Sequence, residues 1–563
     1  MKRKVMTLAM TSAIAMSMAG CSSGSQPSGQ ASAAPSEASA SETASTSDHA
    51  DKVTVAVFSQ FTNFDPATNG ELVNGYVLHH LYANMFSRDG EGIIQNDLCT
   101  DYDISEDGLT HTFTLRDDAV WSDGTPVTAN DFVYAYLRAL SYGTDAASQI
   151  YNMTTFIEGA EEYNLRALEA GDSFDCTVED HSDVGIEAPD DHTLVLTLKM
   201  PCTYMTTLMT SGAWTPLPQT TPQHTGSWAM GTDIVTSGAY TMTEMNPNDK
   251  CFIVKSDSFY NADQITMPEI VWQVVPDMEA EHLAFQAGDI DVATSISSDT
   301  AVSYKGMDEL WVAELPQTYC LIINTGEKGP EWAKDVRVRK ALAKAIDQSA
   351  IVDVIGGEEF YPVLKSYMPI GLEGVNGDFR KERDEQGGYD LEYNPDEAMD
   401  LLAQAGYDES NPLKIEYYYS TNSIHNDVAT CLQQMWSAVG VETTFKAVES
   451  GVYYEGWYNG EYEIARYGVA LTHPVLALNT FTTEYQRVAT VADEDYDNLV
   501  KAIAAEPDPD TAIQMAHEAE DLLVDERVHL IPMFQFTLPM LVNPALKNYE
   551  AHGSYVYFGH SSW

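Results

Sequence analysis

The most constraining stretch of this chain runs from Leu115 to Phe132 and reads LRDDAVWSDGTPVTANDF. Ahead of it Leu109, His111, Phe113 and Leu115 alternate with Thr110, Thr112 and Thr114. That period of two is the pattern of a strand with one face packed and one solvated. Asp123-Gly124 supplies a turn, because glycine tolerates positive φ and an aspartate hydrogen-bonds turn backbone, and Pro126 pre-sets φ for another change of direction. Thr128 and Asp131 have the Thr-x-x-acid spacing of a capping box, with Asp in place of the usual Glu or Gln. Phe132, Tyr136 and Leu140 then recur every fourth residue, with Val133 and Leu137 beside them, so the helix that follows has one apolar side. The stretch predicts a strand-turn-helix corner closed over Trp121, which is structure rather than chemistry.

The chain that carries this corner is long. About 510 of its 563 residues read as folded, too many for a single core, so two or more domains are expected. At the start, Lys2, Arg3 and Lys4 precede a short, weakly apolar run from Val5 to Met18 and the small pair Ala19-Gly20. Residues 1–20 therefore read as a secretory signal. Met18-Ala19-Gly20-Cys21 resembles a bacterial lipobox, which implies cleavage before Cys21 and lipid on its sulfur. The signal is too short and polar to stay as a spanning helix, and no later run of about twenty apolar residues follows, so the lipid is the expected membrane attachment. Ser22 to Ala50 is almost entirely Ser, Ala, Gly, Thr, Gln, Pro and Glu, which buries too little apolar surface to offset ordering entropy. Residues 21–50 are thus expected to tether the folded part roughly 30 Å from the lipid.

The formal charge of −56 becomes −59 once the three basic residues of the signal are lost. Such acidity argues against nucleic-acid binding, which needs clustered Lys and Arg. Six cysteines remain beside Cys21, namely Cys99, Cys176, Cys202, Cys251, Cys320 and Cys431, and none forms a C-x-x-C pair. A zinc or thioredoxin-like reading has no support, and six cysteines spread this widely specify no disulfides.

Read in order, the chain keeps giving α/β signals. VTVAVF from Val53 alternates as a first strand, Asp65-Pro66 turns it into a helical stretch from Leu72 to Phe86, and Asp191 to Leu198 alternates again. The block Leu115 to Phe132 closely resembles the "LR-x-x-x-x-W-S-D-G-T-P-V-T-A-x-D-F" block of the bacterial extracellular solute-binding proteins of family 5, the peptide receptors of ABC importers. Other landmarks of that family follow in order: Leu81-Tyr82, Asp89-Gly90, Ser237-Gly238-Ala239-Tyr240, Ala262 to Ala293, Asn324-Thr325, Asp335 to Leu342, Leu401 to Gly406, Val439-Gly440-Val441 and Ile531 to Phe534. Tyr260 holds a family tyrosine, while Asn261 stands where tryptophan is usual. Arg337, Arg339 and Lys340, at a helix start, read as solvated or salt-bridged rather than as an anion site.

The resemblance covers essentially residues 53–563 and implies an α/β, two-lobed periplasmic-binding-protein-like fold of type II. Lobe I would span 51–315 and hold a small inserted subdomain over about 85–220, lobe II would span 316–530, and 531–563 would return to lobe I. It implies hinge closure around a ligand, a permease partner in the membrane, a monomeric extracytoplasmic lipoprotein anchored through Cys21, and no cofactor.

Peptide-binding relatives carry a block like "ARxGWxADYxxP", whose Arg takes the ligand carboxylate and whose Asp takes its α-amine. Here the block reads Ala465-Arg466-Tyr467-Gly468-Val469-Ala470-Leu471-Thr472-His473-Pro474. Arg466 matches, but two residues and the Asp are missing, Val469 replaces Trp, and Leu471, Thr472 and His473 occupy what is left. Another acid must then take the amine, or the ligand has none there, since desolvating an unpaired ammonium costs several kcal/mol. By the same resemblance His425 aligns with a carboxylate-binding His, and Trp457 replaces a second basic residue. Asn74, Tyr76, Tyr319 and Phe536 fall on cleft segments.

No enzyme motif appears: there is no HExxH, no G-x-S-x-G and no S-x-x-K with its companions. His79-His80 points adjacent side chains apart on a helix, and Asp493 to Asp497 lacks EF-hand spacing and reads as a solvated acidic turn, so no metal site is expected. The expected function is capture of peptides, most readily oligopeptides, outside the membrane for an ABC permease. The alternatives are a family receptor for an oligosaccharide, metal chelate or haem, and a surface peptide sensor without a transport role.

Overall fold

The computed structural model describes residues 51–563 apart from 91, 143–146, 211, 390, 485–488 and 553–554, with backbone alone at 147–149. The signal, Cys21 and the tether fall outside the described residues. A ten-stranded mixed sheet organises the chain, in the spatial order Glu442–Val448, Lys414–Ser420, Ile464–Tyr467, Leu310–Ile323, Leu530–Val542, Val292–Ala293, Lys52–Val57, Glu269–Val274, Lys250–Lys255 and Tyr240–Met245. Alternation along its strands sends neighbours to opposite faces, and each face has its own core. Val53, Val55, Val57, Cys320 and Ile322 join one hydrophobic cluster, whereas Ala56, Tyr319, Leu321 and Ile323 join the other.

The two longest strands, Leu310–Ile323 and Leu530–Val542, tie the halves of this sheet together. Leu310 to Glu314 pair with Leu541 to Thr537, the register then breaks between Glu314 and Thr318, and Thr318 to Ile322 pair with Gln535 to Leu530. Pro316 sits in the break, where its missing N–H costs no ladder bond. Gln535 closes the gap: its Nε2 donates to the carbonyls of Leu315 at 2.9 Å and Ile370 at 3.2 Å, and its Oε1 accepts from the Ile370 N–H. These paired strands join the two lobes of a periplasmic-binding-protein fold.

A separate four-stranded sheet, in the order Cys99–Ile104, Thr110–Leu115, Thr193–Thr197 and Ile186–Asp190, packs with the helices Ala129–Leu140 and Ala160–Ala170 as the inserted subdomain. Its corner forms as its residues dictate. Trp121 is buried and donates its Nε1–H to Asp131 Oδ2 at 3.2 Å, and the same oxygen accepts from the Thr128 backbone at 2.8 Å, closing the capping box.

Three expectations change in detail. The first helix ends at Leu81 rather than Phe86, because Gly238 packs against the helix end and donates its N–H to the Leu81 carbonyl. Arg337 pairs with Asp335 at 2.6 Å, but Arg339 is buried and donates to the carbonyls of Arg527 and Ala333. Asp493 is no solvated turn: it caps the helix Glu494–Ala505 by accepting from Tyr496 N–H and lies 3.3 Å from His529. Among the described residues no helix is long and apolar enough to cross a membrane.

Candidate functional site

Arg466 lies on the short strand Ile464–Tyr467, held on one side by Lys414–Ser420 and on the other by Leu310–Ile323, where it faces Leu321. Two flanking strands fix the strand that carries it, and the residue is only 8% exposed. Its guanidinium carbon stands 5.6 Å from the Tyr319 ring centre and 5.9 Å from that of Tyr453, so aromatic faces stabilise the charge. Among the described residues no carboxylate pairs with the guanidinium, and its Nε is buried without a hydrogen-bond partner. Gly468 leaves room for this arrangement, since a Cβ there would meet Thr318 O at 2.7 Å and Arg466 Nη2 at 3.2 Å.

His425 meets the same group from the first turn of the helix Ser423–Ala438, whose N-cap Asn422 accepts the His425 backbone N–H at 2.7 Å. Its ring lies edge-on to Tyr319 at 5.5 Å, and its Nδ1 is buried without a partner. Burial, and then the Arg466 charge, lower its pKa to about 3, so the ring is neutral at physiological pH. Tyr319 joins the two; burial raises its phenol to about 12, its hydroxyl lies 3.1 Å from that of Tyr417, and its ring stacks on Phe534 at 4.6 Å with Phe536 at 6.3 Å. Arg466, His425, Tyr319 and Phe536 are therefore brought together. An anion entering here would gain an otherwise unpaired guanidinium and a ring nitrogen able to present a proton.

The other candidates stand apart from this group. Trp457 stacks on Tyr467 at 5.5 Å, and its Nε1 is buried without a partner. Asn74 is committed to its own lobe: its Oδ1 accepts from Thr62 N–H, and its Nδ2 donates to Thr62 Oγ1 and Asn69 Oδ1. Tyr76 is buried against Trp272, with its phenol pushed up by burial and by Glu281, a carboxyl that burial itself raises to about 8. Thr472 is exposed. His473 is buried, caps the helix Pro474–Asn479 through its Nδ1, and turns its Nε2 toward Glu373 at 4.0 Å.

Tyr453, Tyr417 and Glu373 were not singled out by the sequence. Tyr453 donates its hydroxyl to the Arg466 carbonyl; its place in the run Val452-Tyr453-Tyr454 carries no motif. Glu373 lies some ninety positions from Arg466, and only the fold brings its loop to His473.

Comparison with known proteins gives a consistent picture. The family model described as bacterial extracellular solute-binding proteins, family 5 Middle, matches residues 94–486. The dipeptide-binding protein DppE of Bacillus subtilis is 27% identical over 499 residues, covering 87% of this chain and 88% of that protein. The periplasmic oligopeptide-binding protein OppA of Escherichia coli is 26% identical over 499 residues with the same coverage. Among solved structures, the unliganded open form of the murein tripeptide-binding protein MppA superposes with a TM-score of 0.78 at 23% identity, covering 90% of this chain and 97% of that one.

Proposed function

Because this chain belongs to the bacterial extracellular solute-binding proteins of family 5, we propose that it captures peptides outside the cytoplasm and delivers them to the permease of an ABC importer. The observation that carries the reading is Arg466, a buried guanidinium left without a counter-ion among the described residues. Burying such a group unpaired is costly, and a peptide carboxylate would supply the missing partner through charge-assisted hydrogen bonds. His425 adds a neutral ring nitrogen, and Tyr319 and Phe536 supply apolar surface for the adjoining side chain. Trp457, Thr472 and His473 border this group along the chain, while Asn74 and Tyr76 contribute by holding the first lobe in shape.

Capture is non-covalent and follows from closure of the lobes about the paired strands. The register break at Leu315 to Gln317 supports dividing the chain into 51–315, 316–530 and the return 531–563. The lipid on Cys21 and the tether up to residue 50 belong to the same reading: they keep a monomeric receptor within reach of its permease, with no cofactor.

Native mass spectrometry of the gently purified protein, followed by denaturation and identification of what is released, tests the function. A ladder of mixed peptides is expected. A single non-peptide compound would overturn the assignment and point to a cleft redirected by its altered Arg466 to Pro474 segment.

A further inference from the structure

Seven residues beyond Arg466 the same segment reaches a second charged group, built on a different plan. Glu373 sits on a loop pinned by a bridge from Glu373 to Asp378, with its Oε2 4.0 Å from His473 Nε2. His473 Nδ1 accepts the Val475 N–H, so the neutral ring carries its proton on Nε2, on the side of the carboxylate. Thr207, from the inserted subdomain, approaches Glu373 as well. The residue is 7% exposed, and its buried hydroxyl lies close enough to Glu373 to lower that carboxyl's pKa while falling short of hydrogen-bond geometry among the described residues.

Two further observations separate this place from an ordinary acidic surface. The Glu373 side chain is 43% exposed, yet burial raises its pKa, reinforced by Asp510 and opposed by Arg88 and Thr207. The carboxylate is therefore within reach of a ligand from solvent while packed against Arg88, Thr207 and His473. The charges nearby are also unbalanced. Arg88 is the guanidinium, with Nη1 already donated to the Gly92 carbonyl at 2.7 Å, and it feels both Glu373 and Asp89. Asp510 adds a third carboxylate beside Glu373 against this one guanidinium, while burial, and then Arg88, hold His473 and His552 neutral. This pole is net negative where the Arg466 pole is net positive.

We propose that Glu373 receives the α-ammonium of the bound peptide, with the Thr207 hydroxyl as a second acceptor. The assignment rests on the peptide reading above and answers the question that segment raises: Thr472 is uncharged and exposed, so the anion comes from a different loop. An ammonium taken out of water needs such a partner. Seven extended residues span at most about 25 Å, so one short peptide can reach from Arg466 to Glu373.

Calorimetric titration of the purified protein with tri-, tetra- and penta-alanine, each with a free and an acetylated amine, tests the assignment. The wild type is expected to prefer the free amine at least tenfold, Glu373→Gln to bind the two forms within twofold of each other, and Glu373→Asp to keep the preference. A tenfold preference surviving in Glu373→Gln, or no preference in the wild type, overturns the role of Glu373 and leaves the peptide reading intact. If the wild type binds neither form at any length, the peptide reading itself falls and this assignment with it. Should Glu373→Gln fail to fold, Thr207→Val carries the same comparison: a narrowed ratio supports the proposal and an unchanged ratio overturns it.

Discussion

Arg138 and Arg466 are both buried, and the fold treats them in opposite ways. Arg138, in the inserted subdomain, gives Nη1 and Nη2 to the two oxygens of Asp65 at 3.0 and 2.6 Å, Nη2 also to the Tyr142 hydroxyl at 2.7 Å, and Nε to the Pro222 carbonyl at 2.8 Å. Asp65 is satisfied in turn by Thr225 Oγ1 and the Ala67 N–H. Burial pushes the Asp65 carboxyl up, and the guanidinium together with the Thr225 and Tyr142 hydroxyls more than reverses this, leaving its pKa below the ordinary value. Arg466 has aromatic faces and, among the described residues, no anion. Native structures pair nearly all buried polar groups, and the unpaired Arg466 Nε beside the unpaired His425 Nδ1 is one of the departures from that rule. The first arginine has its full set of partners within the fold; the second, on the proposed function, takes its anion from the ligand.

Breaking the satisfied pair has the largest expected effect. Arg138→Met leaves the Asp65 carboxylate buried and uncompensated, and loss of one partner of such a pair costs about 3–5 kcal/mol. Chemical denaturation followed by circular dichroism should show the midpoint falling accordingly. A variant within about 1 kcal/mol of wild type would mean that Asp65 is stabilised by Tyr142, Thr225 and the Ala67 N–H alone, and the contrast with Arg466 would lose its meaning.

Arg466→Ala should reverse that pattern. Removing a charge that has no carboxylate partner among the described residues leaves folding stability within about 1 kcal/mol of wild type, or raises it, as at many sites kept for function. Affinity for peptides with a free carboxylate should instead drop by about 2–5 kcal/mol. Carboxyl-amidated peptides should lose far less, and Arg466→Lys should fall between, because an ammonium does not reproduce the bidentate fork. Calorimetry of the free and amidated forms on both variants checks this; equal affinity in wild type and Arg466→Ala removes the residue from the site.

The same contrast explains what was legible in the sequence. The corner over Trp121 was readable because every contact in it is local: Asp131 caps the turn only three residues away and receives the Trp121 indole ten residues away. Arg466 was readable because its segment resembles a family block, but that no carboxylate among the described residues pairs with it is visible only in three dimensions. Asn74 and Tyr76 show the limit. Their helix was expected, but whether a buried amide faces a ligand or its own loop depends on Thr62 and Asn69, which close on it only in three dimensions. Glu373, Thr207 and His473 come from separate parts of the chain, a loop, the short helix Met205–Leu208 and a helix N-cap, so no periodicity or spacing announces them. The two cores likewise follow the two faces of one sheet and do not divide at a single boundary along the chain.

The smallest effect is the one that tests how closely His425 belongs to Arg466. Its pKa falls from 6.5 to about 3, through burial first and then the neighbouring guanidinium. A lowered folded-state value means that protons bind the unfolded chain first as pH drops. The contribution of neutral His425 is therefore intact above about pH 6.5 and is progressively lost as pH falls from there toward 3. At about 1.4 kcal/mol per unit, the interval from pH 6.5 to 5 should cost roughly 1–2 kcal/mol. His425→Asn should lose that much less than wild type over the same interval in matched denaturation curves. His80 and His473 are also held near 3 by burial, so they steepen both curves alike and cancel in the difference. A saturating peptide with a free carboxylate should bring wild type closer to the variant, because an anion beside Arg466 offsets the charge that depresses the ring. If the two proteins lose stability in parallel with and without peptide, His425 does not share the electrostatics of Arg466, and the positive pole of the site is the arginine alone.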